Sequence, residues 1–326
     1  MIPTLHEIPF SGDVPRLLDA LPKSAGVGQI LGPEGRSLTI AAPANLRRWA
    51  ASNLGAGPMA PKGRRPRTDL SQVTTTVGFV VSTSAFHQRL AYERLMALHV
   101  PVSARRDLKP PVFLHLDPAE RFPRLSLRGA DDDLASCYGP FRDRRVAEKA
   151  RAALHKLVAL RPCDYAFEPD PALALGLACL FAQVRTCAAP CLGRASEAAY
   201  RELARSAATL LGRPEQRSSE VAAWLPPAIA PADGRGLVIA TAHHAVELYP
   251  VEAGAVLEEG RIVAGEASLD TTLPALRWIT PKTPRRDWPW LAAWLSSPRG
   301  RRSYVSWPVG MEEAGLRSIV QAHLRA

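Results

Sequence analysis

GVGQILGPEGRSLTIAAP, residues 26–43, sets two short runs of strand-forming residues on either side of a Gly-Pro-Glu-Gly break. Turn residues between such runs predict a β-hairpin with its turn over residues 32–35. Working outward, residues 45–53 read as a short helix and 55–69 (GAGPMAPKGRRPRTD) as a Gly/Pro-rich basic loop. Residues 73–83 (VTTTVGFVVST) are β-rich, and 85–98 place Phe86, Leu90, Leu95 and Leu98 at intervals compatible with a helix. The order is hairpin, helix, strand, helix, which predicts an α+β arrangement for the first part of the chain.

Two further strand-like runs, 111–116 and 124–128, lead to Tyr138-Gly139-Pro140-Phe141, read as a turn with aromatic flanks. Residues 142–160 then repeat Val146, Ala150, Leu154, Leu157 and Leu160 at three- and four-residue intervals, the signature of a helix with one packed face. Ser196 is placed to cap another helix through Tyr200, Leu203, Ala207 and Leu210, ending at Gly212. The polar stretch GRPEQRSSE (212–220) lacks apolar periodicity and marks a domain boundary. Beyond it, residues 236–262 read as strands with turns at 252–254 and 259–260, and 311–324 as a final helix. Three parts are expected: 1–117, a helical cysteine-bearing region 118–212, and a separate mixed α/β C-terminal domain 213–326.

The chain has 326 residues, enough for two or three cores. It has no apolar run of about 18 residues, and its start, MIPTLHEIPFSGD, lacks the basic and apolar regions of a signal peptide. These features predict a soluble, cytoplasmic protein without a membrane partner. The 41 Lys and Arg against 31 Asp and Glu give a charge of +10, which favours polyanionic partners without naming one. Between residues 44 and 70, six basic residues (Arg47, Arg48, Lys62, Arg64, Arg65, Arg67) face one acid, Asp69. Such a loop is either simply solvated or steers a phosphate backbone, and we favour the second, with Arg47, Arg48, Arg64, Arg65 and Arg67 contacting DNA. Five of the seven tryptophans (Trp278, Trp288, Trp290, Trp294, Trp307) lie between residues 278 and 307 among Lys282, Arg285, Arg286, Arg299, Arg301 and Arg302. They either stack on bases or build a core, and the burial tendency of Trp favours the core. His243 and His244, adjacent on an expected strand, would face opposite sides and share no role.

Cys163, Cys179, Cys187 and Cys191 are separated by 15, 7 and 3 residues, with Cys137 apart. A cytosolic chain keeps its thiols reduced, so disulfides are not expected. Only Cys187 and Cys191 form the tight pair common in zinc sites. An iron-sulfur cluster tolerates uneven spacing, and buried free thiols are common too. Spacing alone leaves all three open.

The run CLFAQVRTCAAPCLG (179–193), preceded by LRPC (160–163), resembles the cysteine segment of the UvrC/Cho excision nucleases. In order, GVG (26–28), ANLRRW (44–49), PPVFLHL (110–116), FPRLSL (122–127), YGPF (138–141) and SEAAYRELA (196–204) support the resemblance, which spans residues 26–212. It implies a GIY-YIG nuclease domain built on a small mixed sheet flanked by helices. It also implies a 4Fe-4S cluster held by Cys163, Cys179, Cys187 and Cys191, with zinc as the alternative, and DNA as a partner. The catalytic positions are another matter. The two family tyrosines fall on Gly28 and Thr39, and the catalytic arginine on Trp49, with Arg48 one position early. The metal-binding glutamate falls on Tyr92, with Glu93 one position late and the only nearby candidate. A one-residue shift on a helix turns a side chain by about 100°, so the expectation is a DNA-binding repair or repair-associated protein with an inactive nuclease site. The rivals are an active endonuclease using Mg or Mn, and an interaction module whose Trp-rich C-terminal domain recruits a helicase or nuclease.

Overall fold

The structure, a computed structural model, describes residues 5–55, 68–101, 104–105, 107–174, 179–212, 230–231, 234–242, 245–258, 261–264, 287–307 and 313–324. Arg64, Arg65, Arg67, His243, His244, Trp278 and the expected turn at 259–260 lie outside these residues. By packing, the chain groups into two units, Met1–Arg106 with Ala240–Glu247, and Asp107–Ile239 with Leu248–Ala326, where the sequence suggested three parts.

The first unit holds β1 (His6–Pro9), α1 (Val14–Ala20), β2 (Gly26–Leu31), β3 (Ser37–Ala41), α2 (Leu46–Asn53), β4 (Thr76–Val81) and α3 (Ala85–His99). The hairpin is present: β2 pairs antiparallel with β3, Gly28 opposite Ala41 and Ile30 opposite Thr39. The strand order is β1-β4-β2-β3. The α+β class holds, and each pairing in this sheet is antiparallel rather than mixed. Side chains alternate across a strand, so β2 feeds two cores. Ile30 packs with Leu46, Trp49, Ala50 and Leu54 of the α2 segment. Val27, on the opposite face, packs with Val80 and with Ala91 and Leu95 of α3. Asn45 and Ser84 cap α2 and α3, each accepting from the backbone N–H three residues on.

The second unit begins with β5 (Val112–His115), β6 (Ser126–Gly129), β7 (Cys137–Phe141) and α4 (Arg144–Leu157), followed by α5 (Leu180–Gln183), α6 (Glu197–Gly212) and β8 (Ala230–Pro231). Their sheet runs β6-β5-β7-β8. Tyr138-Gly139-Pro140-Phe141, expected as a turn, is instead strand β7. Proline cannot donate to a ladder and is tolerated in a sheet at irregularities, and the β5–β7 register shifts between Val112 and Leu114 opposite it. Gly139 fits there because a Cβ would stand 2.6 Å from the Phe113 ring. Asp143 caps α4, which buries Ala147, Ala150 and Leu154 against Leu114, Phe122 and Phe141. Leu157, placed on the packed face by periodicity, is exposed, because α4 ends there and Val158 and Leu160 turn inward instead. Tyr200, Ala204, Ala207 and Leu211 of α6 complete this core.

A second sheet combines β9 (Arg235–Ala242), β10 (Ala245–Glu252), β11 (Ala255–Val256), β12 (Ile262–Ala264) and β13 (Tyr304–Trp307), with α7 (Trp288–Ser296), α8 (Pro298–Ser303) and α9 (Glu313–Leu324). Trp288 and Trp290 are buried, as the core reading expected. Trp290 Nε1 donates to Asp287, whose other oxygen accepts from Val256 N. Trp288 meets the Phe113 ring edge-on at 5.6 Å. Neither ring is free to stack on a base.

Candidate metal centre and the altered sheet face

The four cysteines sit on segments that carry little regular structure of their own. Cys163 lies in the extended chain after α4, Cys179 immediately before α5, and Cys187 and Cys191 around a 3-10 turn at Pro190–Leu192. Backbone bonds pin these pieces together: Ala188 N donates to Ala159 O at 2.8 Å, and Asp170 N to Cys191 O at 2.9 Å. All four cysteines line one cavity of about 410 Å³, together with Arg161, Tyr165 and Phe167. Cys137 lies elsewhere, buried in β7, its thiol donating to Asp133 O.

Arg161 organises the cavity's wall. Its Nε donates to Phe122 O at 2.8 Å, and its Nη1 to Tyr165 O at 2.9 Å. The same nitrogen lies 3.9 Å from Cys163 Sγ, and the guanidinium stacks over Phe167. Its backbone N–H donates to the Tyr200 hydroxyl at 2.6 Å, and that hydroxyl donates to Pro123 O. Sequence reasoning quoted Arg161 inside LRPC without giving it a task. The available signal was a cation two residues before a candidate ligand.

Two of the thiols, Cys187 and Cys191, are held towards their neutral form by their surroundings. Burial pushes the Cys187 thiol up to about 11, partly offset by the Ala189 N–H that donates to its sulfur. Burial also raises Cys191. Among the described residues, no group of three or more His, Cys, Asp or Glu side chains is arranged to hold a metal ion. A single zinc draws its sulfurs in to about 2.3 Å. Four thiol side chains lining one cavity are a donor set that both zinc and iron-sulfur clusters use.

In the first unit, Gly28, Trp49 and Glu93, singled out in the sequence, are all packed or paired. Gly28 has no room for a side chain, because a Cβ there would stand 2.3 Å from Cζ3 of Trp49. Trp49 is 7% exposed and belongs to the core beneath α2. Glu93, 4% exposed, is a bound counter-ion rather than an open ligand. Arg105 grips both its oxygens, at 2.6 and 3.3 Å, and Arg89 reaches Oε1 at 2.6 Å. Both guanidiniums also lie over the Tyr92 ring. Arg105 was not anticipated from the sequence.

The expected DNA-contacting set divides. Arg47 is committed to α1, donating to Leu21 O and Asp19 O and lying 3.9 Å from the Asp19 carboxylate. Arg48 is exposed on α2, and Arg64, Arg65 and Arg67 fall outside the described residues.

Comparison with known proteins shows what part of the chain resembles. Residues 112–210 match the family model for the UvrC/Cho excinuclease middle domain. UvrABC system protein C of Novosphingobium aromaticivorans is 41% identical over 108 residues, covering 33% of this chain and 16% of that protein. That of Geobacter metallireducens is 31% identical over 197 residues, 60% of this chain and 31% of the relative. That of Alkalilimnicola ehrlichii is 25% identical over 218 residues, 67% and 34% respectively. The chain thus spans about a third or less of these relatives. No solved structure matches it. Among the described residues, no helix is long and apolar enough to cross a membrane. Residues 112–210 are thus similar to the middle domain of the UvrC/Cho excinucleases, and the chain is UvrC/Cho-like over that part.

Proposed function

We propose that the chain is a DNA-binding repair or repair-associated protein whose cysteine region holds a 4Fe-4S cluster and whose GIY-YIG-like unit no longer cleaves DNA. The observation that carries this reading is the gathering of Cys163, Cys179, Cys187 and Cys191 on one cavity inside the matched middle domain. When bound, such a cluster supplies a covalent cross-link between chain segments and a one-electron couple. The chain's own residues would hold it: four thiolates as ligands, Ala189 N–H donating to Cys187, and Arg161 placing positive charge beside Cys163. Loss of cleavage is supported by Trp49 over Gly28 and by the pairing of Glu93 with two arginines. Metal-assisted hydrolysis needs an open carboxylate for the cation and room for water, and neither is available at these positions.

The test is metal analysis of anaerobically purified protein together with a cleavage assay on duplex, nicked, bubble and branched DNA with Mg or Mn. Iron that disappears in Cys187→Ala but persists in Cys137→Ala is expected, with no cleavage. Stoichiometric zinc from iron-supplied cells would refute the cluster. Cleavage abolished by Glu93→Gln would restore the endonuclease reading.

A further inference from the structure

Helix α4 turns Ala147, Ala150, Ala153 and Leu154 inward. On its outer side Arg145, Lys149 and Lys156 occupy positions i, i+4 and i+11, which at 100° per residue fall within about 40° of one another. All three are exposed, and among the described residues none has a side-chain hydrogen bond or ion pair. Neighbouring arginines behave differently. Arg144 pairs with Glu148, Arg201 with Glu197 and Arg205 with Glu202, each within its own helix. Glu148 is the only carboxylate of α4, and Arg144 holds it at 2.9 Å.

The stripe is unfavourable for the helix by itself. Like charges at i and i+4 repel by a few tenths of a kcal/mol. Arg145 also lies in the first turn, where the helix dipole disfavours a cation, and no acid occupies that turn. Lys156, in the last turn, is the only one of the three that the dipole favours. An uncompensated basic line is complementary to a polyanion of regular charge spacing. From Arg145 to Lys156 the helix rises about 16 Å, about the rise of five phosphates along one strand of a duplex at 3.4 Å each.

We propose that the outer face of α4 is a docking surface for a nucleic-acid backbone, with Arg145, Lys149 and Lys156 each neutralising a phosphate. The inference rests on the DNA-associated reading above and assigns it to residues of the middle domain, separate from Arg47 and Arg48. Such contacts carry no sequence information; they set affinity and register.

The test uses the full chain, a labelled mixed-sequence duplex and a triple variant, Arg145→Gln, Lys149→Gln and Lys156→Gln. Glutamine keeps helix propensity close to that of Arg and Lys, and an unchanged circular dichroism spectrum verifies the fold. Replacing all three should weaken binding to unrelated sequences alike and flatten the log-affinity against log-salt slope by about 0.9 per contact, about 2.7 in all. A wild-type slope in the triple variant overturns this inference alone. A wild-type chain that ignores DNA at low salt overturns both it and the DNA-binding reading. Displacement by polyglutamate as effective, charge for charge, as by unlabelled duplex would make the stripe an acidic-protein surface and sink the nucleic-acid assignment.

Discussion

The packing of Trp49 over Gly28 makes a quantitative prediction through a double-mutant cycle. In Gly28→Ala the new methyl would lie 2.3 Å from Cζ3 and 2.7 Å from Cε3 and Cη2 of a ring that is 7% exposed. The ring belongs to a core with Ile30, Leu46 and Phe79, so it can yield only by displacing other side chains. Overpacking of this kind costs about 1–3 kcal/mol. Trp49→Ala removes the ring and should cost about 3–5 kcal/mol by itself. With the ring gone, the methyl at position 28 meets open space. The two losses should therefore fail to add by about 1–3 kcal/mol, within the range of about 0.5–3 kcal/mol known for residues in contact. Stability should be read from denaturant curves followed by far-UV circular dichroism, using the transition that Trp49→Ala shifts, since two units need not unfold together. Losses that add within about 0.5 kcal/mol would show that Trp49 does not occupy the space above Gly28, and the proposed loss of cleavage would lose that support.

Glu93→Gln should destabilise the first unit by about 3–5 kcal/mol, because it strands the buried Arg105 and the partly exposed Arg89 without their counter-charge; denaturant midpoints with an unchanged cleavage assay check this. Trp290→Phe should lower stability through the lost bond to Asp287, by about 0.5–1.5 kcal/mol, and leave single-strand DNA affinity unaltered, which fluorescence anisotropy reads. His155 is held below its ordinary value by burial and then by the charge of Arg151, so the unfolded chain takes up a proton first as pH falls through about 6.5. Its contribution is complete above that pH and fades below it, and His155→Gln should flatten the decline in denaturant midpoint between pH 7 and 5. Asp143, lowered chiefly by the Val146 N–H it accepts as the cap of α4, adds a separate loss only as pH falls below about 3.9.

Features carried by neighbouring residues were legible in the sequence. The β2–β3 hairpin, the short helix over residues 45–53 and the apolar spacing of α3 and α6 each lie within a few positions of the element they specify. Tyr138-Gly139-Pro140-Phe141 misled because Gly-Pro is turn chemistry locally, and only the register shift against β5 makes room for it in a strand. The mismatched nuclease positions were visible as Gly28, Thr39, Trp49 and Tyr92. That the first and third of these fill one another's space depends on tertiary packing between β2 and α2. Glu93 was visible as a displaced carboxylate, but Arg105 reaches it across the end of α3, a contact no periodicity encodes. Arg47 looked like a free cation until its bonds to Asp19 and Leu21 were located.

The Tyr200 hydroxyl has a consequence for how the cavity wall is built. It joins Arg161 N to Pro123 O while its ring lies in the core with α4 and α6. The wall beside Cys163 is therefore assembled by ordinary folding, from protein atoms alone. Under the proposed cluster reading, loss of the metal would leave this wall standing, because none of the bonds that join Arg161, Tyr200, Pro123 O and Phe122 O involves a ligand sulfur.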